Sequence, residues 1–197
     1  KRYRLESYKK MRIIGGKFKN KKIDFPKNFK TRPLKDNVRE SIFNILKHSN
    51  SINFELKNSY ILDLYAGTGS FGLECLSRGA ALSFFLESDE EALLYLKRNI
   101  KSLNVENETK VYPQKISKFL LNDKLQQTID LVFFDPPYNN KDYIEVIKIL
   151  KKKNILKKKH LIIIHREKGS NENSINDLSI IENRIYGRSE IFFSKFF

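Results

Sequence analysis

Four consecutive residues in the second half of the chain form its most specific chemical pattern. The segment Asp135-Pro136-Pro137-Tyr138 directly follows the apolar residues 131–134. Proline fixes its own φ angle and has no backbone N–H, so we expect the carbonyl oxygens of this turn to lack N–H partners nearby. The Asp135 carboxylate and a proline carbonyl could then accept both hydrogens of one amino group. The Tyr138 ring offers a surface on which a nucleobase can stack.

Such an arrangement would activate an amine that is otherwise unreactive. An amino nitrogen conjugated to a base ring is a poor nucleophile, and two acceptors that hold its hydrogens align its lone pair with an electrophile. The alternative interpretation of Pro136-Pro137 is a cis-proline turn that only ends a strand. Because the acid, both prolines and the aromatic residue occur together after an apolar segment, we favour the amine site.

The segment Tyr65-Ala66-Gly67-Thr68-Gly69 predicts a ligand-binding turn between a strand and a helix. Glycines at such a turn allow the backbone to bend tightly and to approach a ligand closely. The spacing differs from the pyrophosphate-binding fingerprint, and no Gly-Lys-Ser or Gly-Lys-Thr follows as in a Walker loop. Asp63, just before the turn, would repel a phosphate. The loop therefore favours a cationic or amine-bearing ligand.

Glu87 ends the next predicted strand along the chain. An acid at that place in a nucleotide-binding fold accepts hydrogen bonds from ribose hydroxyls. The alternative role is a helix cap, which Ser88 and Asp89 could also provide. Together with the glycine-containing turn, Glu87 indicates a ligand that contains a nucleoside.

Alternating strands and helices must position these segments. Strands are predicted at 61–64, 83–87, 110–112, 130–134, 160–165, 184–186 and 190–195, and helices at 70–78, 90–103, 116–125 and 143–152. This alternation indicates an α/β fold with a mostly parallel sheet that helices cover on both faces. The last two strands flank Gly187 and are close enough in sequence to form an antiparallel hairpin.

The first 50 residues predict a basic extension of this fold. Residues 1–10 form a basic tail, and residues 11–23 predict a hairpin around Gly15-Gly16. A helix is expected to open at Thr31-Arg32-Pro33, because proline is tolerated in a first helical turn. Its apolar stripe consists of Val38, Ile42, Ile45 and Leu46. We therefore predict an N-terminal extension at 1–50, packed on a main domain at 51–197.

Composition narrows the classes of partner. The 197 residues contain 38 Lys and Arg against 23 Asp and Glu, a net charge of +15 that suits a polyanion such as nucleic acid. A Lys-, Ile- and Asn-rich composition typical of an AT-rich genome is the alternative source of this charge. No window is long and apolar enough for a membrane span. The single cysteine, Cys75, excludes an internal disulfide and predicts a small buried residue. The three histidines share no metal-ligand spacing, so we expect no metal.

The three segments resemble the Rossmann-like methyltransferases that use S-adenosylmethionine, specifically the amino-methyltransferases with an (Asn/Asp)-Pro-Pro-(Tyr/Phe) motif. Further blocks resemble the RsmD family, which methylates the N2 amino group of a guanine in bacterial small-subunit ribosomal RNA. These blocks are Arg12-Ile13-Ile14-Gly15-Gly16, Thr31-Arg32-Pro33, Asp63 to Gly69, and Leu76-Ser77-Arg78-Gly79. The resemblance implies a seven-stranded methyltransferase sheet with an antiparallel C-terminal hairpin and a small N-terminal extension.

The resemblance also assigns roles to individual residues. Asp135, Pro136, Pro137 and Tyr138 would be the catalytic segment that holds the guanine. The residues that would bind S-adenosylmethionine are Asp63, Tyr65, Ala66, Gly67, Thr68, Gly69, Glu87, Ser88 and Ile116. Lys115 departs from the family pattern, because the family usually has Asp or Asn there to contact the adenine amino group. Lysine has no acceptor, so the Ile116 backbone would contact adenine alone.

Basic residues of the extension are candidates for contact with the RNA. They are Arg12, Lys17, Lys19, Arg32 and Arg39. For Arg32 and Arg39 the alternative is ordinary helix ion pairing, since Asp36 and Glu40 lie within one turn. The lysine-rich run 151–159 is interpreted as an exposed helix end and loop.

Two other functions stay open from the sequence. One is an adenine-N6 methyltransferase acting on DNA or another RNA, and the other is a non-catalytic RNA-binding assembly protein with the same fold. We expect the partner to be ribosomal RNA or the small ribosomal subunit, and we expect no membrane association. We also expect the protein to be a monomer. The expected location is the cytoplasm, or a ribosome-containing organelle if the chain is a trimmed precursor.

Overall fold

The computed structural model describes residues 11–26, 34–122, 125–138, 142–170 and 177–197. Its α-helices are α1 (Asp36–His48), α2 (Ser70–Ser77), α3 (Glu90–Leu103), α4 (Ile116–Asn122) and α5 (Tyr143–Lys152). Its strands are β1 (Tyr60–Leu64), β2 (Leu82–Glu87), β3 (Thr109–Pro113), β4 (Ile129–Phe134), β5 (Leu156–Glu167), β6 (Leu178–Tyr186) and β7 (Ser189–Phe196). No α-helix within these ranges is long and apolar enough to cross a membrane.

The seven strands form one sheet in the order β3-β2-β1-β4-β5-β7-β6. Strands β1 to β5 pair in parallel, whereas β7 pairs antiparallel with both β5 and β6. The predicted α/β class, the mostly parallel sheet and the antiparallel closing hairpin are therefore confirmed.

The central strands are apolar throughout because both faces of the sheet are covered. Successive side chains of a strand point to opposite faces. In β4, Leu131 and Phe133 belong to the core formed with α1, α2 and α3, whereas Val132 and Phe134 belong to the core formed with α4 and α5. Cys75 in α2 is buried in the first of these cores, as predicted.

Strand β5 begins earlier than its sequence predicts, at Leu156 rather than at 160. Leu156 pairs with Ile129, and the Lys157 ammonium lies 2.8 Å from the Asp130 carboxylate. The end of the lysine-rich run is thus strand, and its interpretation as a loop is wrong there. The residue types alone do not indicate a strand here. Pairing with β4 fixes the backbone, while the charged ends of the lysine side chains still reach solvent.

The N-terminal hairpin is present in the described residues 11–26. The Ile13 N–H donates to the Lys21 carbonyl at 2.9 Å, and the Ile23 N–H donates to the Met11 carbonyl at 2.9 Å. A 3₁₀ helix, Gly16–Phe18, makes the turn. Gly16 has φ +76°, and a Cβ there would lie 1.8 Å from the Ser77 carbonyl oxygen, so only glycine fits this approach to α2.

The same apolar core includes buried residues of the hairpin, of α1 and of the sheet, among them Ile13, Phe43 and Phe133. The hairpin therefore contributes to the core on this side of the sheet, and its backbone bonds to Glu74 and Ser77 of α2. The division of the chain into 1–50 and 51–197 stays a prediction.

Candidate functional site

The carboxyl ends of three neighbouring parallel strands bring the acidic residues to one edge of the sheet. Leu64 of β1 is in register with Leu86 of β2 and with Phe134 of β4. Glu87 and Asp135 follow those partners directly, and Asp63 precedes Leu64. In open α/β sheets this edge is where ligands bind.

Asp63 is a buried carboxyl group beneath the glycine-containing loop. Its Oδ2 accepts a hydrogen bond from the Gly72 N–H at 3.0 Å, which ties β1 to the first turn of α2. Burial raises the pKa of Asp63 well above its usual value; the Gly72 N–H acts in the opposite direction, and the nearby Asp135 and Glu87 raise it further. A cation bound here would favour the ionised carboxylate.

The loop at 65–69 folds so that its backbone faces open space at Gly67. Tyr65 and Gly67 have φ of 61° and 55°, and the Gly69 N–H donates to the Ala66 carbonyl at 2.8 Å. A Cβ on Gly67 would meet no atom within 4 Å. The Thr68 carbonyl accepts a hydrogen bond from Asn99 of α3, which also bonds the backbone of Asp24 and so connects the loop to the hairpin.

Glu87 fixes this loop through backbone hydrogen bonds. Its Oε2 accepts from the Gly67 N–H at 2.7 Å, and its Oε1 accepts from the Ser88 and Asp89 N–H groups at 2.7 and 2.8 Å. The helix cap of α3 is Asp89, whose carboxylate accepts from the Ala92 N–H. Glu87 is thus free of the capping role that was its alternative interpretation.

A cavity of about 450 Å³ opens beside Glu87 and separates β2 from α5. Its walls include four of the predicted cofactor-binding residues, namely Tyr65, Glu87, Ser88 and Ile116. The remaining ones, Asp63 and residues 66–69, lie on β1 and on the loop next to it. Lys115 also lines the cavity, as do the acidic residues Asp142 and Glu145, which the sequence did not single out.

The segment Asp135–Tyr138 follows β4 at the same edge. The described peptide bonds are all trans, so the cis-proline alternative is wrong. The Asp135 side chain is 21% exposed, and its Oδ1 lies 2.7 Å from Nδ1 of His165. The Tyr138 ring meets the His165 ring edge-on, with centroids 5.9 Å apart.

Arg166 contacts the backbone of this segment. Its guanidinium donates to the Tyr138 carbonyl at 2.9 Å and to the Pro137 carbonyl at 3.3 Å, and Nη1 lies 3.5 Å from the Pro136 carbonyl oxygen. The expectation that these carbonyls lack N–H partners is therefore wrong. The partner comes from β5, which neighbours β4 in the sheet. Each carbonyl oxygen has two lone pairs, so a ligand N–H can still be accepted.

His165 and Arg166 are the site residues that sequence reasoning missed. Both stand at the end of the apolar strand β5, which is the position that marked Asp63, Glu87 and Asp135 in the other strands. The position of His165 and Arg166 at a strand end could therefore be read from the sequence. It indicates that they lie near Asp135 only once β5 is known to pair with β4.

The predicted RNA-contact residues fall into three groups. Arg12, Lys17 and Lys19 are exposed on the hairpin, and the Lys17 ammonium lies 3.5 Å from the Glu108 carboxylate. Arg32 lies outside the described residues. Arg39 has no exposed side-chain surface, so its prediction as an RNA contact is wrong.

Arg39 instead belongs to a buried ionic cluster that anchors the hairpin. Its Nη2 lies 2.9 Å from the Asp36 carboxylate and donates to the Arg12 carbonyl, and its Nε lies 3.6 Å from Glu74 of α2. Glu74 in turn accepts from the Ile14 and Gly15 N–H groups at 2.7 and 2.8 Å. The alternative of a helix ion pair with Asp36 is thus confirmed for Arg39.

Comparison with known proteins places the chain in a family. Residues 11–195 match the family model described as "Conserved hypothetical protein 95". The chain is 35% identical to Ribosomal RNA small subunit methyltransferase D of Buchnera aphidicola subsp. Acyrthosiphon pisum, over 81% of this chain and 79% of that protein.

Solved structures agree in fold. The structure of a putative methyltransferase, yhhF, from Escherichia coli superposes with a TM-score of 0.76 at 27% identity, covering 95% of this chain and 98% of that one. A putative methyltransferase complexed with SAH has a TM-score of 0.64 at 14% identity, covering 80% of this chain and 49% of that one. Taken with the extent of the family match, this similarity confirms the resemblance drawn from the motifs: the chain belongs to the RsmD family of methyltransferases.

Proposed function

We propose that this protein methylates the exocyclic N2 amino group of a guanine in small-subunit ribosomal RNA, with S-adenosylmethionine as methyl donor. The observation that carries the proposal is the position of Asp135 at the same sheet edge as Asp63 and Glu87, the last of which lines the cavity. Membership of the RsmD family supports the same activity. A ribosomal RNA substrate implies a compartment that contains ribosomes.

The described residues fit S-adenosylmethionine in size and charge. A cavity of about 450 Å³ is of the size that small ligands occupy, and Ser88 and Ile116 would flank the adenosine part. Oε2 of Glu87 accepts the Gly67 N–H and keeps a second lone pair for a ribose hydroxyl. Asp63 would offset positive charge on the methionine part. When bound, S-adenosylmethionine would supply an electrophilic methyl group, which N2 would receive as the sulfur keeps the electron pair of the CH3–S bond.

The chain's own contribution is to hold the attacking amine. Oδ1 of Asp135 is engaged by His165, so Oδ2 is the oxygen left to accept one amine hydrogen. The Pro136 carbonyl would accept the second hydrogen, while the Tyr138 ring stacks on the base. After methylation the nitrogen loses one proton, to Asp135 or to water. The guanine must be unpaired or flipped out of its stack to reach this position.

The hairpin would contact the RNA beside the active site. Arg12, Lys17 and Lys19 are exposed there, and Asn99 connects the hairpin to the glycine-containing loop. Cations at such a surface bind phosphates and orient the substrate without reading its sequence.

The test is methyl transfer to purified small ribosomal subunits and to naked ribosomal RNA, with labelled S-adenosylmethionine. The nucleosides are then separated and identified by mass spectrometry. The expected product is N2-methylguanosine. If N6-methyladenosine formed instead, the substrate assignment would be overturned in favour of adenine. Calorimetric titration with S-adenosylmethionine separates both enzymes from a non-catalytic assembly protein, for which no heat of binding is expected.

A further inference from the structure

His165 is a buried polar side chain in contact with the candidate site. Its Nδ1 lies 2.7 Å from Oδ1 of Asp135, and only 6% of its side chain is exposed. Its ring also meets the Tyr138 ring edge-on. One side chain of β5 thus touches both the proposed amine acceptor and the proposed stacking surface.

The hydrogen bonds determine which nitrogen of His165 carries the proton. An ionised carboxylate can only accept, so Nδ1 must donate to Asp135. Nε2 is buried and has no hydrogen-bond partner among the described residues. The described contacts thus fit a proton on Nδ1 that His165 donates to Oδ1 of Asp135.

We propose that His165 is a positioning residue for methyl transfer, which rests on the function proposed above. By donating to Oδ1, it fixes the plane of the Asp135 carboxylate and leaves Oδ2 directed to the amine. By packing against the ring, it also holds Tyr138. A misaligned acceptor lowers the rate because the reacting atoms must meet in a narrow geometry.

The test compares variants that keep or remove the donor. His165→Phe keeps an aromatic ring but has no N–H donor, and His165→Leu removes both the ring and the N–H donor. His165→Asn places an amide N–H near the position of Nδ1. We expect kcat to fall about 10- to 100-fold in the Phe and Leu variants and to recover largely in the Asn variant. Affinity for S-adenosylmethionine should be unchanged in all three, which also shows that each variant is folded.

Asp135→Ala, alone and combined with His165→Phe, separates this proposal from the proposed function. If His165 acts through Asp135, the double variant is as slow as Asp135→Ala alone. If the losses in kcat of the two single variants multiply in the double variant, the role of His165 is overturned. The same holds if His165→Phe and His165→Leu keep a wild-type kcat while Asp135→Ala is slow. Neither result touches the role of Asp135. Wild-type turnover in Asp135→Ala would overturn the proposed amine-holding site itself.

Discussion

In the cofactor half of the site, Glu87 and Asp63 accept hydrogen bonds from backbone N–H groups, whereas in the substrate half Asp135 and the carbonyls after it are contacted by side chains of β5. Among the backbone donors, Ser88 and Gly72 lie one and nine residues from the acids that they bond, whereas Gly67 lies 20 residues before Glu87. The side-chain donors, His165 and Arg166, come from about one strand and one helix later in the chain. Backbone donors are present whatever the side chain, so the substrate half is the more sensitive to single substitutions.

The largest expected effect is in the substrate half. Asp135→Ala removes one of the two amine acceptors, and kcat for methyl transfer should fall roughly 100-fold or more. Steady-state kinetics with ribosomal RNA reports on the substrate half, and calorimetric titration with S-adenosylmethionine reports on the cofactor half. Weaker cofactor binding as the main defect would show that the two halves are not separable as described.

Arg166→Met should also act on the substrate half. It leaves the Tyr138 and Pro137 carbonyls without their charged donor, at a cost of about 1.5–3 kcal/mol in the free energy of unfolding. We expect a lower kcat as well, because the segment that holds the base loses its anchor. Urea denaturation and kinetics measure the two effects. Arg166→Lys is the matched control that keeps the charge but not the planar fork.

Glu87→Ala probes the cofactor half. Loss of a charged acceptor for the ribose should weaken the binding free energy of S-adenosylmethionine by about 1–3 kcal/mol and so raise its dissociation constant. Because Glu87 also holds the Gly67 N–H, the glycine-containing loop should become less protected from hydrogen exchange. Turnover at saturating cofactor should change less than in Asp135→Ala. An unchanged dissociation constant would remove Glu87 from the cofactor site.

The hairpin offers a comparison with the lysine-rich run. Changing Arg12, Lys17 and Lys19 to Ala should flatten the slope of log affinity for RNA against log salt by roughly 0.7 to 0.9 for each lost phosphate contact. The matched control changes Lys152, Lys158 and Lys159, which are exposed at the other end of α5 and β5. Equal losses from both sets would mean that the basic surface binds RNA diffusely.

The smallest effect is expected at Lys115. Lys115→Asp adds an acceptor to the wall of the cavity and should tighten S-adenosylmethionine binding about 2- to 10-fold. Lys115→Met, which removes the cation without adding an acceptor, is the control. Weaker binding in the Asp variant would place Lys115 away from the adenine.

Features that depend on neighbouring residues were predicted from the sequence. Local residue types were enough to locate the apolar strands, the turn at 65–69 and the segment 135–138. Burial on both faces of the sheet requires apolar residues, and the turns require residues with particular backbone conformations. The alternation of elements was enough for the α/β class, and the short connection at Gly187 between the last two strands was enough for the antiparallel end of the sheet. The residues Asp63, Glu87 and Asp135 were found because each lies within one residue of the end of its own strand.

Contacts between distant residues were decided by the tertiary structure. The order β1-β4-β5 sets His165 beside Asp135 and Arg166 beside the proline carbonyls, and no local pattern encodes which strands are neighbours. Packing of the hairpin on α1 and α2 likewise buried Arg39, whose residue type alone suggested a surface contact. Charge and periodicity describe what a segment can do by itself, whereas pairing and burial depend on what the rest of the chain places against it.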